Sequence, residues 1–182
     1  DLEYPKLRKS LPKYLTIKQS AALLESVSGQ NAKRDYAILM LFLNCGIRRS
    51  ELVGLNLTDV YEDRIRVVGK GNKERIVYLS NDTIKLLISS HHDEEAHGRL
   101  FNIDQRHARY LLWKALQQYT NARQLSPHVL RHTLATYMAK QGVNVATIAQ
   151  ILGHQDIKTT QKYIDLAEME TKQACLQNSI IK

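Results

Sequence analysis

The spacing of apolar and polar residues along the chain predicts a mainly helical protein. Thr16 and Gln19 match a capping box, which predicts a helix over 18–27. Residues 35–45 are apolar on nearly every side, so we expect a central buried helix that ends at Gly46. Further helices are predicted over 50–55, 81–90 with Asn81 as its cap, 105–119, 126–141 and 145–152, the last ended by Gly153, and a final helical stretch is capped by Asp156.

One pair of segments has the composition of β-strands. Residues 64–68 and 74–79 are rich in Ile and Val, and the turn sequence Gly69-Lys70-Gly71-Asn72 lies between them. We therefore predict an antiparallel hairpin. The expected fold class is α+β, mainly α-helical, with one small antiparallel sheet.

Composition narrows the class of protein further. The 182 residues suffice for one domain with a buried core, and 43% of them are hydrophobic. Lys and Arg number 26 against 18 Asp and Glu, a net charge of +8 that suits a polyanion-binding surface but also a merely soluble basic protein. The two cysteines, Cys45 and Cys175, cannot form a disulfide framework and fit a reducing cytosol. The sequence has no apolar run of membrane-spanning length.

The segment around 126–131 has the features of an anion site. Ser126 and Pro127 are favourable N-cap and N1 residues, so His128 is expected at the positive end of a helix. Arg131, three residues on, lies on the same helix face. A surface helix with incidental polar residues is the alternative, and this segment alone does not exclude it.

A second candidate pair follows the helix over 145–152. His154 comes directly after Gly153 and leaves that helix in a turn, where it could equally serve as a C-capping residue. Tyr163 lies nine residues later. Most tyrosines with an apolar neighbour such as Ile164 are core residues, and no local feature marks this one as a nucleophile.

Two further basic residues occupy positions set by rigid neighbours. Arg48 follows the buried helix and needs a carboxylate or phosphate partner; Glu51 is the candidate for Arg48 or for its neighbour Arg49. Lys70 occupies the hairpin tip, where a solvated lysine is common, and Lys73 competes with it for any chemical role.

Two other patterns resemble known sites. The polar loop over 91–98 contains His91, His92, Asp93, Glu94, Glu95 and His97, but it lacks the His-Glu-x-x-His spacing of a zinc helix, so we expect no metal site. Residues 134–153 could form a helix-turn-helix DNA reader. That interpretation explains the charge but leaves Arg48, Lys70 and Tyr163 without a role.

In their order along the chain, these motifs resemble those of the tyrosine recombinase, or phage integrase, family. The resemblance covers about residues 11–166 and is Xer-like in two segments, which read Gly69-Lys70-Gly71-Asn72-Lys73-Glu74-Arg75 and Leu152-Gly153-His154-Gln155-Asp156-Ile157-Lys158-Thr159-Thr160-Gln161-Lys162-Tyr163. It implies an active-site set with a tyrosine nucleophile; the residues are Arg48, Lys70, His128, Arg131, His154 and Tyr163.

The resemblance also implies an activity. A recombinase of this kind cleaves and rejoins double-stranded DNA at specific core sites through a 3′-phosphotyrosyl link, without metal or ATP and with no other cofactor. In such chemistry His128 would accept the Tyr163 proton or orient the phosphate, and Lys70 would protonate the 5′-oxygen. A type IB topoisomerase-like nicking-closing enzyme and a non-catalytic DNA-binding regulator are the alternatives.

The same resemblance divides the chain into three parts. Residues 1–10 would be a linker from a missing N-terminal core-binding domain, 11–166 the catalytic domain, and 167–182 a C-terminal tail helix that docks on a neighbouring protomer of a DNA-bound tetramer. The expected location is the cytoplasm, in association with the nucleoid.

Overall fold

A computed structural model describes residues 14–91, 98–118 and 128–177. Within these ranges the chain forms eight α-helices and one two-stranded sheet. The helices are α1 (Ile17–Glu25), α2 (Ala32–Cys45), α3 (Arg49–Gly54), α4 (Asn81–Ser89), α5 (Gln105–Leu116), α6 (Val129–Lys140), α7 (Val145–Leu152) and α8 (Lys158–Gln177), and the strands are β1 (Arg64–Val68) and β2 (Glu74–Tyr78).

Local capping explains most of the helix boundaries. Thr16 and Gln19 form the predicted capping box at α1, with both reciprocal hydrogen bonds present. The cap of α4 was wrongly placed at Asn81, because Ser80 accepts the hydrogen bond from the Thr83 amide and is the N-cap. At the start of α8, Asp156 accepts the Lys158 amide at 2.9 Å, as expected.

Gly46 is required where α2 ends. Its φ of 54° lies in the left-handed region, and an added Cβ would come within 2.5 Å of Leu152 Cδ2. A glycine therefore lets α2 end in close contact with α7. The predicted start of this helix was three residues late, since α2 begins at Ala32.

The predicted hairpin is present. β1 and β2 pair antiparallel, with Arg64 opposite Tyr78 and Val68 opposite Glu74. The loop is closed by a 2.7 Å hydrogen bond from the Gly69 amide to the Lys73 carbonyl, and Lys70 lies within the turn. The fold class predicted from the sequence is confirmed.

The buried side chains form two clusters. The larger joins α1 to α5 and the hairpin, and α2 supplies its centre with Ile38, Leu41 and Phe42. The smaller lies between α6, α7 and α8 and is built from Ala135, Ala139, Ile148, Leu152, Tyr163 and Ala167. Burial of these apolar groups fixes α6, at the junction of the two clusters, against both α2 and α8.

The start of α6 differs from its prediction. The helix begins at Val129 with His128 as N-cap, and the His128 carbonyl accepts the His132 amide at 2.9 Å. Ser126 and Pro127, predicted to open the helix, lie outside the described residues. His128 therefore precedes the first helical turn instead of lying in it.

The final helix continues without interruption through the predicted boundary at residue 166. Residues 171–177 of α8 are all exposed, and Leu176 is 69% accessible. The predicted linker over 1–10 and the last residues of the tail, 178–182, lie outside the described part. Within the described ranges, no helix combines the length and the apolar character needed to cross a bilayer.

Candidate active site

Arg131 is the most deeply buried of the predicted site residues that carry a full charge. It is 6% exposed and donates hydrogen bonds from its two terminal nitrogens to the carbonyls of Gly46 and Leu152. These bonds connect α6 to the ends of α2 and α7 and fix the plane of the guanidinium group. They use two of the five N–H groups of an arginine.

Arg48 is held by Glu51 and by the end of α7. Its backbone amide donates to Glu51 Oε2 at 2.7 Å and its Nη1 to Oε1 at 2.9 Å, while Nη2 donates to the Gly153 carbonyl at 3.2 Å. Glu51 was proposed as the partner of Arg48 or of Arg49, and the structure pairs it with Arg48.

A third arginine, Arg75 on β2, shares the same carboxylate. Its two terminal nitrogens donate to the two oxygens of Glu51 at 2.8 and 2.9 Å, and its Nε donates to the Ile151 carbonyl at 2.9 Å. Burial acts to raise the pKa of Glu51, but the bonds from Arg75 and Arg48 outweigh it, and the net pKa is lowered. Glu51 is therefore ionised and ties the hairpin to α3.

The site carries an excess of positive charge. Arg48, Arg75 and Arg131 are brought together around the single carboxylate of Glu51. Burial, and then the charges of Arg48 and Arg75, lower the pKa of Arg131 to about 10. Such a cluster favours the arrival of an anion, because a negative group relieves the repulsion between the guanidinium groups.

His154 leaves α7 in the predicted turn. Gly153 adopts a φ of 64°, and the His154 amide donates back to the Ala149 carbonyl at 2.9 Å. The side chain is also oriented, since Nδ1 lies 2.7 Å from the Thr160 hydroxyl. Burial, followed by the charges of Arg131 and Arg48, lowers the pKa of His154 to about 4. At neutral pH the ring is thus uncharged and can donate one N–H to a phosphate oxygen.

His128 lies at the rim of the same charged cluster. It is exposed at the N-terminus of α6, and burial of part of its ring together with Arg131, Arg49 and Arg48 lowers its pKa. The first amides of α6 and the helix dipole also face this end. The predicted combination of a histidine, an arginine and a helix N-terminus is therefore present.

An open cleft of about 1210 Å³ leads to the cluster. Arg48, Lys70 and His154 line it, and so does Lys73. Lys70 is exposed at the hairpin tip and belongs to the wall of the cleft instead of the buried arginine group. The structure places Lys70 and Lys73 in the same cleft as Arg48 and His154, and the choice between the two lysines stays open.

Tyr163 lies on α8, in the smaller core cluster. It is 1% exposed, and burial raises its pKa to about 12 although the charge of Arg131 acts in the opposite direction. Its hydroxyl is hydrogen-bonded to His132 Nδ1. The tyrosine is therefore a buried residue, as its apolar neighbour suggested, and also lies within the electrostatic influence of Arg131.

The sequence interpretation missed three residues of the site. His132, Arg75 and Thr160 had no assigned role, although each contacts a predicted site residue or its partner. The signal for His132 was its separation of four from His128, which places two side chains on one helix face. Arg75 and Thr160 carry no such signal, because their partners are distant in the chain or depend on the turn at Gly153.

The two competing patterns have different outcomes. Residues 92–97 of the histidine-rich loop lie outside the described part, and the described residues contain no group of three or more metal-ligating side chains. The helices α6 and α7 of the proposed helix-turn-helix pack on Tyr163, and Arg131 projects from α6 into the arginine cluster. These helices are part of the site just described.

The chain is similar to known proteins over nearly its whole length. The model of the phage integrase family matches residues 13–170. The chain belongs to the phage integrase family. A tyrosine recombinase XerC of Caldanaerobacter subterraneus subsp. tengcongensis is 39% identical over 99% of the chain, and a tyrosine recombinase XerD of Halalkalibacterium halodurans is 38% identical over 89% of it. The chain spans 55% and 60% of the lengths of these two relatives.

Solved structures of integrase-family proteins share the fold. The XerA recombinase superposes with a TM-score of 0.76 and 30% identity, covering 95% of this chain and 67% of that one. The catalytic domain of bacteriophage HP1 integrase superposes with a TM-score of 0.68 and 25% identity, covering 93% of this chain and 96% of that domain. The resemblance expected from the motifs is confirmed at the level of family and fold.

Proposed function

We propose that this integrase-family chain is the catalytic part of a site-specific DNA recombinase, which cleaves and rejoins DNA through a covalent 3′-phosphotyrosyl intermediate. The observation that carries the proposal is the pairing of Arg48 and Arg75 with the single carboxylate of Glu51, close to Arg131 and to a buried phenol. A phosphodiester supplies the missing negative charge, and the phenol supplies a nucleophile.

Phosphate binding is assigned to the fixed donors. Arg48 and Arg131 donate to the non-bridging oxygens, and the neutral His154 ring adds one further N–H. Each such preorganised donor is worth roughly 3 kcal/mol of transition-state stabilisation. Glu51 and Arg75 do not contact the phosphate in this scheme; they hold Arg48 and the turn before His154 in place.

Tyr163 is assigned as the nucleophile. Its oxygen forms a bond to phosphorus while the bond to the DNA 5′-oxygen breaks, and the phosphotyrosyl link retains the energy needed for rejoining. Lys70 protonates the departing 5′-oxygen. Attack by a 5′-hydroxyl from another strand reverses the step and completes strand transfer.

Lys70 and Lys73 can be distinguished by the leaving group. We expect Lys70→Ala to bind DNA normally and to cleave slowly, because the 5′-alkoxide then leaves without a proton. A 5′-phosphorothiolate substrate should restore the rate, since sulfur leaves without protonation. Lys73→Ala is the matched control from the same turn. Rescue of Lys73→Ala and not of Lys70→Ala would transfer the acid role to Lys73.

The charge and the exposed segments of the chain support two kinds of partner, DNA and further copies of the protein. The net charge of +8 supports binding to double-stranded DNA, and we place the protein on nucleoid DNA in the cytoplasm. The exposed segment 171–177 of α8 supports assembly of a tetramer on DNA, in which the tail contacts a neighbouring protomer. Light scattering on DNA, with and without Ile180 and Ile181, tests this; unchanged assembly contradicts a role for the tail.

A nicked suicide duplex tests the activity itself. The broken strand releases a short fragment after cleavage, so a covalent adduct accumulates and is counted on a denaturing gel. We expect adduct from the unaltered chain at a defined core sequence, and none from Tyr163→Phe despite retained DNA binding. Adduct on most duplexes would indicate a topoisomerase. Absence of adduct from every duplex would indicate a non-catalytic regulator.

A further inference from the structure

One histidine in contact with the nucleophile has no role in the scheme above. His132 follows Arg131 on α6, and its Nδ1 is hydrogen-bonded to the Tyr163 hydroxyl. We propose that His132, and not His128, is the group that accepts the proton of Tyr163 when the hydroxyl attacks phosphorus. This inference rests on the proposed function.

The geometry favours His132 over His128. The His132 ring lies beside the Tyr163 ring, with centroids 5.6 Å apart and planes inclined by 43°. The His128 ring lies one helical turn away, 6.4 Å from the His132 ring, at the exposed N-terminus of α6. A general base must lie within hydrogen-bonding distance of the proton it removes, and the contact at the hydroxyl is made by His132. His128 is then left to orient the phosphate.

The surrounding charges keep the acceptor unprotonated before DNA arrives. The positive groups that act on His132 are Lys162 from α8 and Arg131 from α6. Two other histidines also interact with it electrostatically, His128 from the N-cap of α6 and His154 from the turn after α7. Burial first, and then Lys162, His128 and Arg131, lower the pKa of His132 to about 4. A neutral imidazole has one nitrogen able to accept a proton.

The same surroundings predict that the phenol is unreactive in the free protein. Proton transfer would place a third positive charge beside Arg131 and Lys162, and burial disfavours the phenolate. A bound phosphodiester brings a negative charge into this group and stabilises the imidazolium. Proton transfer is therefore coupled to occupancy of the phosphate site.

The step balances without another reactant. The Tyr163 oxygen forms the bond to phosphorus and its O–H bond breaks, with the proton passing to Nδ1 of His132. The bond from phosphorus to the 5′-oxygen breaks, and that oxygen takes a proton from Lys70. In the rejoining step, the attacking 5′-hydroxyl returns its proton to Lys70, and His132 returns its proton to the departing tyrosine oxygen.

An asparagine at position 132 separates proton acceptance from mere hydrogen bonding. In His132→Asn the side-chain amide occupies the place of Nδ1 and can accept a hydrogen bond, but it cannot take up the proton. We expect adduct formation on the nicked duplex to fall by roughly 10²- to 10⁴-fold, with DNA binding retained. Circular dichroism checks that the variant is folded, and His128→Asn is the matched control on the same helix.

A more acidic phenol provides the readout that a structural role would not change. Fluorotyrosine incorporated at position 163 needs less help to lose its proton. It should therefore recover much of the rate in His132→Asn while giving little gain in His128→Asn or in the unaltered chain. An equal effect of fluorotyrosine in all three backgrounds overturns the proposal, as does a His132→Asn variant that cleaves at the unaltered rate.

Nuclear magnetic resonance supplies a second measurement that does not depend on a variant at position 132. The ¹⁵N shift of His132 Nδ1 in the free protein should report an unprotonated nitrogen and should change in Tyr163→Phe, while His128 is unaffected. An unchanged His132 signal overturns the inference even if the variant fails to fold. Complete absence of adduct from the unaltered chain is a different result, because it rejects the proposed function itself.

Discussion

Replacement of Arg75 by methionine tests whether the buried ion pair with Glu51 holds the site together. The Arg75 side chain is 9% exposed and that of Glu51 is 1% exposed, so neither charge is well solvated. The substitution removes a bidentate pair and the bond from Nε to the Ile151 carbonyl, and leaves Glu51 with Arg48 alone. Removing one partner of a buried pair costs roughly 3 to 5 kcal/mol.

The remaining pair with Arg48 places the expected loss at the lower end, about 3 kcal/mol in the free energy of unfolding. With a urea dependence of about 2 kcal/mol per molar, the midpoint of unfolding should fall by about 1.5 M. Arg64→Met is the matched control from the same hairpin. Arg64 pairs with Asp63, and both side chains are exposed, at 43% and 56%, so its loss should shift the midpoint far less.

The pH dependence of the free energy of unfolding provides a second test of the role of Glu51. In the folded chain the pKa of Glu51 is lowered, so its contribution to stability is present above the unfolded pKa and is lost as the pH falls through the folded value. Without Arg75 the burial of the carboxyl persists while its main partner is gone, so this loss should begin at higher pH. A midpoint shift for Arg75→Met no larger than that for Arg64→Met would show that the buried pair does not hold the site together.

Three further predictions follow from single positions. Gly46→Ala should lower the free energy of unfolding by about 3 kcal/mol, because the added Cβ is strained in the left-handed conformation and contacts α7. Gly142→Ala should cost about 1 kcal/mol, because Gly142 has a φ of 77° but no atom lies within 4 Å of its added Cβ. Equal losses in denaturant melts would contradict this. Because the pKa of His154 is lowered to about 4, the free energy of unfolding should fall as the pH drops from about 6.5 towards 4. His154→Gln should flatten this pH dependence. An unchanged slope in the variant excludes His154 as its source. Burial raises the pKa of Cys45 to about 12, whereas Cys175 is exposed. A thiol reagent should therefore modify one cysteine in the native chain and two after denaturation. Fast reaction of two cysteines in the native chain would show that Cys45 is accessible.

Much of the fold could be predicted because local physics decides it. The capping box at Thr16, the apolar run that forms α2 and the hairpin around Gly71 each carry their signal within a few residues. Helix ends were less certain. Ser80 and Asn81 are both good capping residues, and the choice between them depends on which side chain reaches the Thr83 amide.

The composition of the site was partly predictable, and its geometry was not. Residue types and spacing pointed to Arg48, Arg131 and His154, and the structure brings these three together around the ends of α2 and α7. The role of Arg75 depends on the packing of β2 against α7, which no local pattern reports. The contact between His132 and Tyr163 likewise requires α6 and α8 to pack side by side.

In the proposed reaction Tyr163 becomes covalently joined to a DNA phosphate held by the arginine cluster. The most direct measurement is mass spectrometry of the peptide that remains attached to DNA after reaction with a nicked duplex and digestion by nuclease and protease. We predict a single modified peptide, with the phosphate on the oxygen of Tyr163. A phosphate on any other tyrosine, or on a serine or histidine of the cleft, would contradict it.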